Sequence, residues 1–189
     1  MALMWPTLIR AQAVVDGGFG VAVVRAPTLD DAPGPSLPAS GIGGTTVAGM
    51  AGVSVQVGRR ISLGAEIMLE RSFDFSERAL IGATIHGTFR ETIIAGVVRY
   101  EVAPTLQLVG GMSVITPQLN GDFIGPSPET TFGAVAGVDA PLSIAPHLTF
   151  VPAFRIHLIR RTDPDRPPNI LKQVGSLVFV PALLFRVTF

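Results

Sequence analysis

Large apolar residues recur at every second position through eight segments of this chain, and nearly every charge in those segments falls on the opposite parity. Side chains of a strand point alternately to its two faces, so this pattern describes strands with one uncharged face and one polar face. The segments span approximately 14–25, 45–57, 61–73, 88–102, 105–115, 130–142, 147–160 and 176–189. The last is the clearest. Counting back in twos from Phe189 gives Val187, Phe185, Leu183, Pro181, Phe179 and Leu177, whereas Arg186 stands on the other parity. The same division repeats upstream, where Val47, Val53, Val55, Ile61, Leu63, Leu69, Ile94, Val98, Leu108, Met112, Phe132 and Leu158 belong to the uncharged set.

The opposite parity collects Asp16, Glu66, Glu70, Glu91, Arg99, Glu101, Asp139, Arg155, His157 and Arg186, with Gln56, Gln107, Ser54, Ser62 and Ser113. Between them stand small residues such as Gly18, Gly20, Gly52, Gly64, Gly111, Gly133 and Gly137. Eight strands enclose an interior only wide enough for side chains to fill, and small neighbours leave room there for long arginine and glutamate chains. The expectation is a lumen plugged by ion pairs, in which carboxylates neutralise Arg99, Arg155 and Arg186. Arg71 is the misfit. Its parity is outward, and it lies near one end of its strand, where it can snorkel to a polar boundary.

Composition points the same way. Apolar residues make up 48% of the 189 residues and charged residues only 15%, giving a mean hydropathy of +0.49. No window offers the roughly 18 consecutive apolar residues of a spanning helix. The hydrophobicity is instead dispersed in short runs among 21 Gly and 16 Pro, as strands and turns require. Because membrane hydrocarbon cannot hydrogen-bond a backbone, only helices and closed barrels cross it. The combination therefore indicates an eight-stranded antiparallel up-and-down barrel with lipid outside and charge inside.

Connection lengths support closure. Gly58–Arg60, Ala103–Pro104 and Ser143–Pro146 are tight turns; Ala26–Gly44, Asp74–Gly87, Thr116–Glu129 and Arg161–Gly175 are long, Pro- and Gly-rich segments. Long and short alternate strictly, as in outer-membrane barrels with short periplasmic turns and longer outer loops. Pro141, Pro152 and Pro181 fall inside strands, where bulges are expected. Of eleven phenylalanines, eight (Phe19, Phe73, Phe132, Phe150, Phe154, Phe179, Phe185 and Phe189) take the outward parity. Tyr100 and Phe189 are placed in an aromatic girdle at the short-turn rim.

The chain reads as one barrel domain over 14–189. Residues 1–13 end in Ala11-Gln12-Ala13, a small-x-small pattern, and are read either as a signal-peptide remnant or as a periplasmic lead-in to the first strand. Formal charge is zero, with 14 basic and 14 acidic residues and Lys172 the sole lysine; this gives no footprint for nucleic acid. Cysteine is absent, which removes disulfides and thiolate chemistry. His86, His147 and His157 have no ligand spacing for a metal, and His157 has no recognisable nucleophile motif with it. No cofactor and no enzymatic activity are expected.

With eight strands, alternating loop lengths and a terminal Phe189 in hand, the chain resembles the small eight-stranded outer-membrane barrels of Gram-negative bacteria, the opacity-protein and OmpA/OmpX-like class. The resemblance implies residence in the Gram-negative outer membrane as a monomer, among outer-membrane lipid and lipopolysaccharide. It also implies recognition of Phe185, Val187 and Phe189 by the outer-membrane barrel assembly machinery. A structural or surface-interaction role follows from it, with a small-solute channel or hydrophobic-compound carrier as the alternative. A soluble calycin-like barrel, with the faces reversed, is the remaining one.

Overall fold

The computed structural model describes residues 12–25, 43–78, 84–121, 130–161 and 174–189. Most of residues 1–13 and of the connections at 26–44 and 161–175 therefore lie outside the described residues. Ten strands form the described chain: β1 (Ala13–Arg25), β2 (Gly43–Gln56), β3 (Ile61–Glu70), β4 (Phe73–Arg78), β5 (Thr84–Ala103), β6 (Leu106–Gly121), β7 (Thr131–Asp139), β8 (Leu142–Ala145), β9 (Leu148–Arg161) and β10 (Val174–Thr188). All pair antiparallel with sequence neighbours, and β10 returns to β1 through Val14↔Thr188 to Arg25↔Leu177. β3 with β4, and β7 with β8, each make one interrupted stave. The result is a closed eight-stave barrel, which leaves no edge along its length.

The face assignment follows from the pairing. Asp16, Glu66, Arg99, Asp139, Arg155 and Arg186 are all buried, while Phe19, Leu63, Met112, Phe132 and Phe185 are exposed on the outside. A soluble barrel with an apolar interior and charged exterior would show the reverse. On β2 and the residue after it, the outward set Val47 to Val57 covers eleven positions, or about 25 Å of height at a tilt near 45°. That height matches the apolar band of a membrane barrel.

Two interior glycines show why small residues alternate with the charges. A Cβ on Gly111 would overlap the carbonyl oxygen of Gly96, and one on Gly137 would overlap that of Phe154 and press on the Arg155 side chain. By contrast, Gly17, Gly49, Gly96 and Gly110 face outward, and a Cβ on any of them would meet nothing within 4 Å.

Several details differ from the sequence expectation. The bulges expected at the prolines are absent, because the β9–β10 register runs unbroken from Val174↔Arg161 through Pro181↔Phe154 and Leu183↔Pro152 to Val187↔Leu148. Both prolines turn their missing donors away from that seam. Pro152 faces Ala140, whose N–H donates to the Pro152 carbonyl at 2.8 Å, beside the interruption between β7 and β8. Pro181 faces β1, where the β1–β10 ladder lapses between Gly20↔Ala182 and Val23↔Phe179 without changing register. Pro141 lies in the β7–β8 interruption, and pairing with β9 resumes in the same register at Leu142↔Phe150.

A register shift does occur where none was expected. β3 pairs β5 up to Leu69↔Thr92, but β4 resumes at Phe73↔Phe89, one residue out of step. Arg71 and Ser72 are consecutively exposed at this bulge, and the ladder resumes with position 73 opposite Phe89. The segments 74–87 and 116–129 also contain more strand than expected. β4, the first part of β5 and the end of β6 carry ladder pairs out to Arg78↔Thr84 and Gly87↔Gly121. β5 has 20 residues, whereas about 9–11 suffice to cross hydrocarbon, so this hairpin stands beyond the apolar band. His86 consequently sits on a strand, exposed, and not in a loop.

Candidate functional site: the barrel interior

Six charged residues from six strands meet inside the short-turn half of the barrel. Register sets their height: Asp16 lies opposite Arg186 and Gly52, and Gly52 opposite Glu66. Asp139 lies opposite Gln107, and Arg155 opposite Gly137. Each arginine then joins a carboxylate on a neighbouring strand to one on a strand that is not its neighbour.

Arg155, which is fully buried, donates from Nε to Glu66 Oε2 at 3.0 Å and from Nη2 to Glu66 Oε1 at 2.7 Å, a bidentate fork. Its Nη1 donates to Asp139 Oδ1 at 2.6 Å. Arg99 Nη2 donates to both Asp16 Oδ2 at 2.9 Å and Glu66 Oε1 at 2.7 Å. Arg99 Nε approaches Asp139 Oδ2 at 3.4 Å, close enough for ion pairing but not angled for a hydrogen bond. Arg186 donates from Nε to Asp16 Oδ1 at 2.6 Å, from Nη2 to Asp139 Oδ2 at 3.2 Å, and from Nη1 to the Gln107 amide oxygen at 2.9 Å. Three cations thus meet three carboxylates, and every carboxylate serves at least two arginines. Charge-assisted bonds of this length are the strong class, and neutrality limits the desolvation cost of burying ions.

The remaining residues expected in the polar interior are placed differently. Glu70 and Glu91 are buried farther toward the long-loop end, outside the six-residue cluster. Glu101 is half-buried at the short-turn rim, and its backbone N–H donates to the Arg60 carbonyl at 2.8 Å. His157 is buried between Val135 and Val178, and among the described residues neither of its ring nitrogens has a hydrogen-bond partner.

Above the ion cluster the interior changes character. Ala22, Val24, Met50, Met68, Phe89, Ile93, Ile115, Ile159, Val178 and Val180 form a continuous buried apolar cluster that extends toward the long loops. The interior thus carries the six-charge cluster nearest the short turns and, beyond it, mostly apolar side chains among which Glu70, Glu91 and His157 are also buried. Alternation alone does not reveal this, since inward positions hidden from both water and lipid accept apolar side chains as readily as paired ions. The inward run Val178, Val180 and Leu184 was the available signal.

At the short-turn rim, Phe185, Val187 and Phe189 of the terminal strand point outward. The Phe189 N–H donates to the Ala13 carbonyl at 3.0 Å, and His147 Nδ1 lies 3.1 Å from the Thr188 carbonyl oxygen. Phe150 and Phe185 pack with ring centroids 5.6 Å apart, and Phe154 and Phe179 with centroids 6.5 Å apart. Tyr100 is exposed at the same end.

No protein-family model and no curated protein matches this sequence. Solved structures do share its architecture. Neisserial surface protein A is 9% identical with a TM-score of 0.55, covering 94% of this chain and 97% of its own. Ail, the attachment invasion locus protein of Yersinia pestis, solved in complex with the heparin analogue sucrose octasulfate, is 10% identical with a TM-score of 0.55, covering 93% and 98%. The outer membrane protein OprG from Pseudomonas aeruginosa is 11% identical with a TM-score of 0.51, covering 95% and 96%. At these identities the shared property is the fold, and it is that of the small outer-membrane β-barrels.

Proposed function

We propose that the protein resides in a Gram-negative outer membrane as a closed, non-conducting barrel whose long-loop rim serves a structural or surface-binding role. The observation that carries this reading is the six-charge cluster. Arg99, Arg155 and Arg186 each bind one carboxylate on an adjacent strand and reach across the interior to another on a non-adjacent strand, and buried apolar side chains continue the filling toward the long loops. Polar groups that satisfy one another across a narrow barrel leave little room for a hydrated path. Binding then falls to the rim, where strands β4, β5 and β6 extend a paired ladder beyond the apolar band, as scaffolds commonly display binding segments. A neighbour of this fold, Ail, takes a heparin analogue, which supports a surface-binding role over a catalytic one. The terminal Phe185, Val187 and Phe189 serve as the contact for the barrel assembly machinery, and the protein functions as a monomer among lipopolysaccharide and other outer-membrane lipid.

Planar-bilayer recording tests the closed lumen. Purified protein is expected to insert without steady open-channel current. Sustained current that is blocked by enlarging Gly137 would instead establish a solute channel.

A further inference from the structure

We infer that Arg71 and Arg90 form a docking site for the phosphorylated headgroup of an outer-leaflet lipid, an inference that rests on the membrane reading above. Arg71 lies two residues beyond the last β3–β5 pair, Leu69↔Thr92, in the bulge where Arg71 and Ser72 face Arg90 before the ladder resumes opposite Phe89. Both are exposed on the outer face, immediately beyond Leu69, Ile94 and Val114, where the apolar band ends on these strands. Like charges opposed across a strand pair repel, and a folded sheet keeps such a pair most readily where an anion bridges it.

The acids nearby do not bridge it. Glu70 and Glu91, next to the two arginines in sequence, turn into the barrel. Asp74 is exposed, opposite Thr88, and among the described residues neither Arg71 nor Arg90 has a carboxylate within ion-pair distance. Arg90 is nonetheless held: its Nε donates to Gln118 Oε1 at 2.6 Å, a single bond that leaves the donors of its two terminal nitrogens for a ligand. A guanidinium pair suits phosphate oxygens, which accept parallel N–H donors. Apolar wall directly beneath the pair favours a ligand with acyl chains over a free anion, because the chains can lie on Leu69, Ile94 and Val114 while the phosphate meets the arginines.

The test uses the full chain reconstituted into phosphatidylcholine vesicles with or without lipid A. The readout is the temperature at which the folded barrel loses its unboiled electrophoretic mobility, together with lipid A affinity. Lipid A is expected to raise that temperature for the native protein. The variant R71Q/R90Q should insert into phosphatidylcholine normally, lose the lipid A shift and bind lipid A about a hundredfold more weakly, on the order of tenfold per arginine. A control pair at the opposite rim, R59Q/R60Q, should keep the native response. An undiminished shift in R71Q/R90Q, an equal loss in R59Q/R60Q, or the same shift produced by inorganic phosphate alone would overturn the proposal. Failure of the native protein to enter phosphatidylcholine at all would overturn the membrane reading beneath it.

Discussion

Replacing Asp139 with alanine is expected to lower the unfolding free energy by about 3–5 kcal/mol, the range for removing one partner of a buried ion cluster. Asp139 is fully buried and approaches all three interior arginines, Arg155 at 2.6 Å, Arg186 at 3.2 Å and Arg99 at 3.4 Å. Without it, three guanidinium groups share two carboxylates and one positive charge is left uncompensated away from water. The loss therefore comes mainly from the stranded charge, and a second substitution that restores neutrality should recover part of it. Removing Arg186 as well leaves Arg99 and Arg155 with Asp16 and Glu66, so D139A/R186Q should be more stable than the sum of the single losses predicts, by an interaction of about 1 kcal/mol or more. Urea unfolding in lipid vesicles, read from the mobility of folded and unfolded bands, measures all four members of the cycle. A D139A variant of native stability would show that the cluster contributes nothing to holding the barrel closed.

Val98→Arg should cost about 2–4 kcal/mol in a bilayer, because Val98 stands on the outer face near the middle of the apolar band, where an arginine meets hydrocarbon. The comparison is Thr116→Arg, also exposed but beyond the band, for which the cost should fall to about 0–1 kcal/mol. If water bathed the outer face, both substitutions would be nearly neutral, as surface changes in soluble proteins usually are. The contrast between the two positions, more than either value, carries the result. It is measured by the same urea titration.

Much of this architecture was legible in the residues, and the exceptions have physical causes. Charge on one parity located both faces, because a membrane barrel offers ionised groups shelter on one side only; Asp16, Arg99 and Arg186 all marked it. Strand ends were legible only where strands meet hydrocarbon. At Thr84–Gly87 and Thr116–Gly121 the ladder continues outside the apolar band, so no lipid face remains to produce alternation, and these residues read as loop. The bulge at Arg71–Ser72 was hidden because one extra residue reverses parity without changing composition, and the exposed Arg71 was its only trace. Prolines misled in the other direction. Pro152 and Pro181 suggested bulges, yet each orients its missing donor toward a break in its outer neighbour's ladder, and a one-dimensional pattern does not show which way a donor points. Within the interior, parity put Glu70, Glu91 and His157 in the same class as Glu66 and Arg155. Height along the barrel, which depends on register across all eight staves, separates the six-charge cluster from Glu70, Glu91 and His157, which are buried farther toward the long loops.

The claim on which the account turns is that hydrocarbon contacts the uncharged face. Since the chain has no cysteine, single cysteines at Leu63, Val98, Met112 and Phe132 can each carry a spin label on an otherwise unlabelled protein in lipid vesicles, and relaxation by dissolved oxygen can be compared with relaxation by a water-soluble nickel complex. The account predicts strong relaxation by oxygen and little by nickel at all four positions. Strong relaxation by nickel at these positions, with oxygen no more effective than in water, would contradict it.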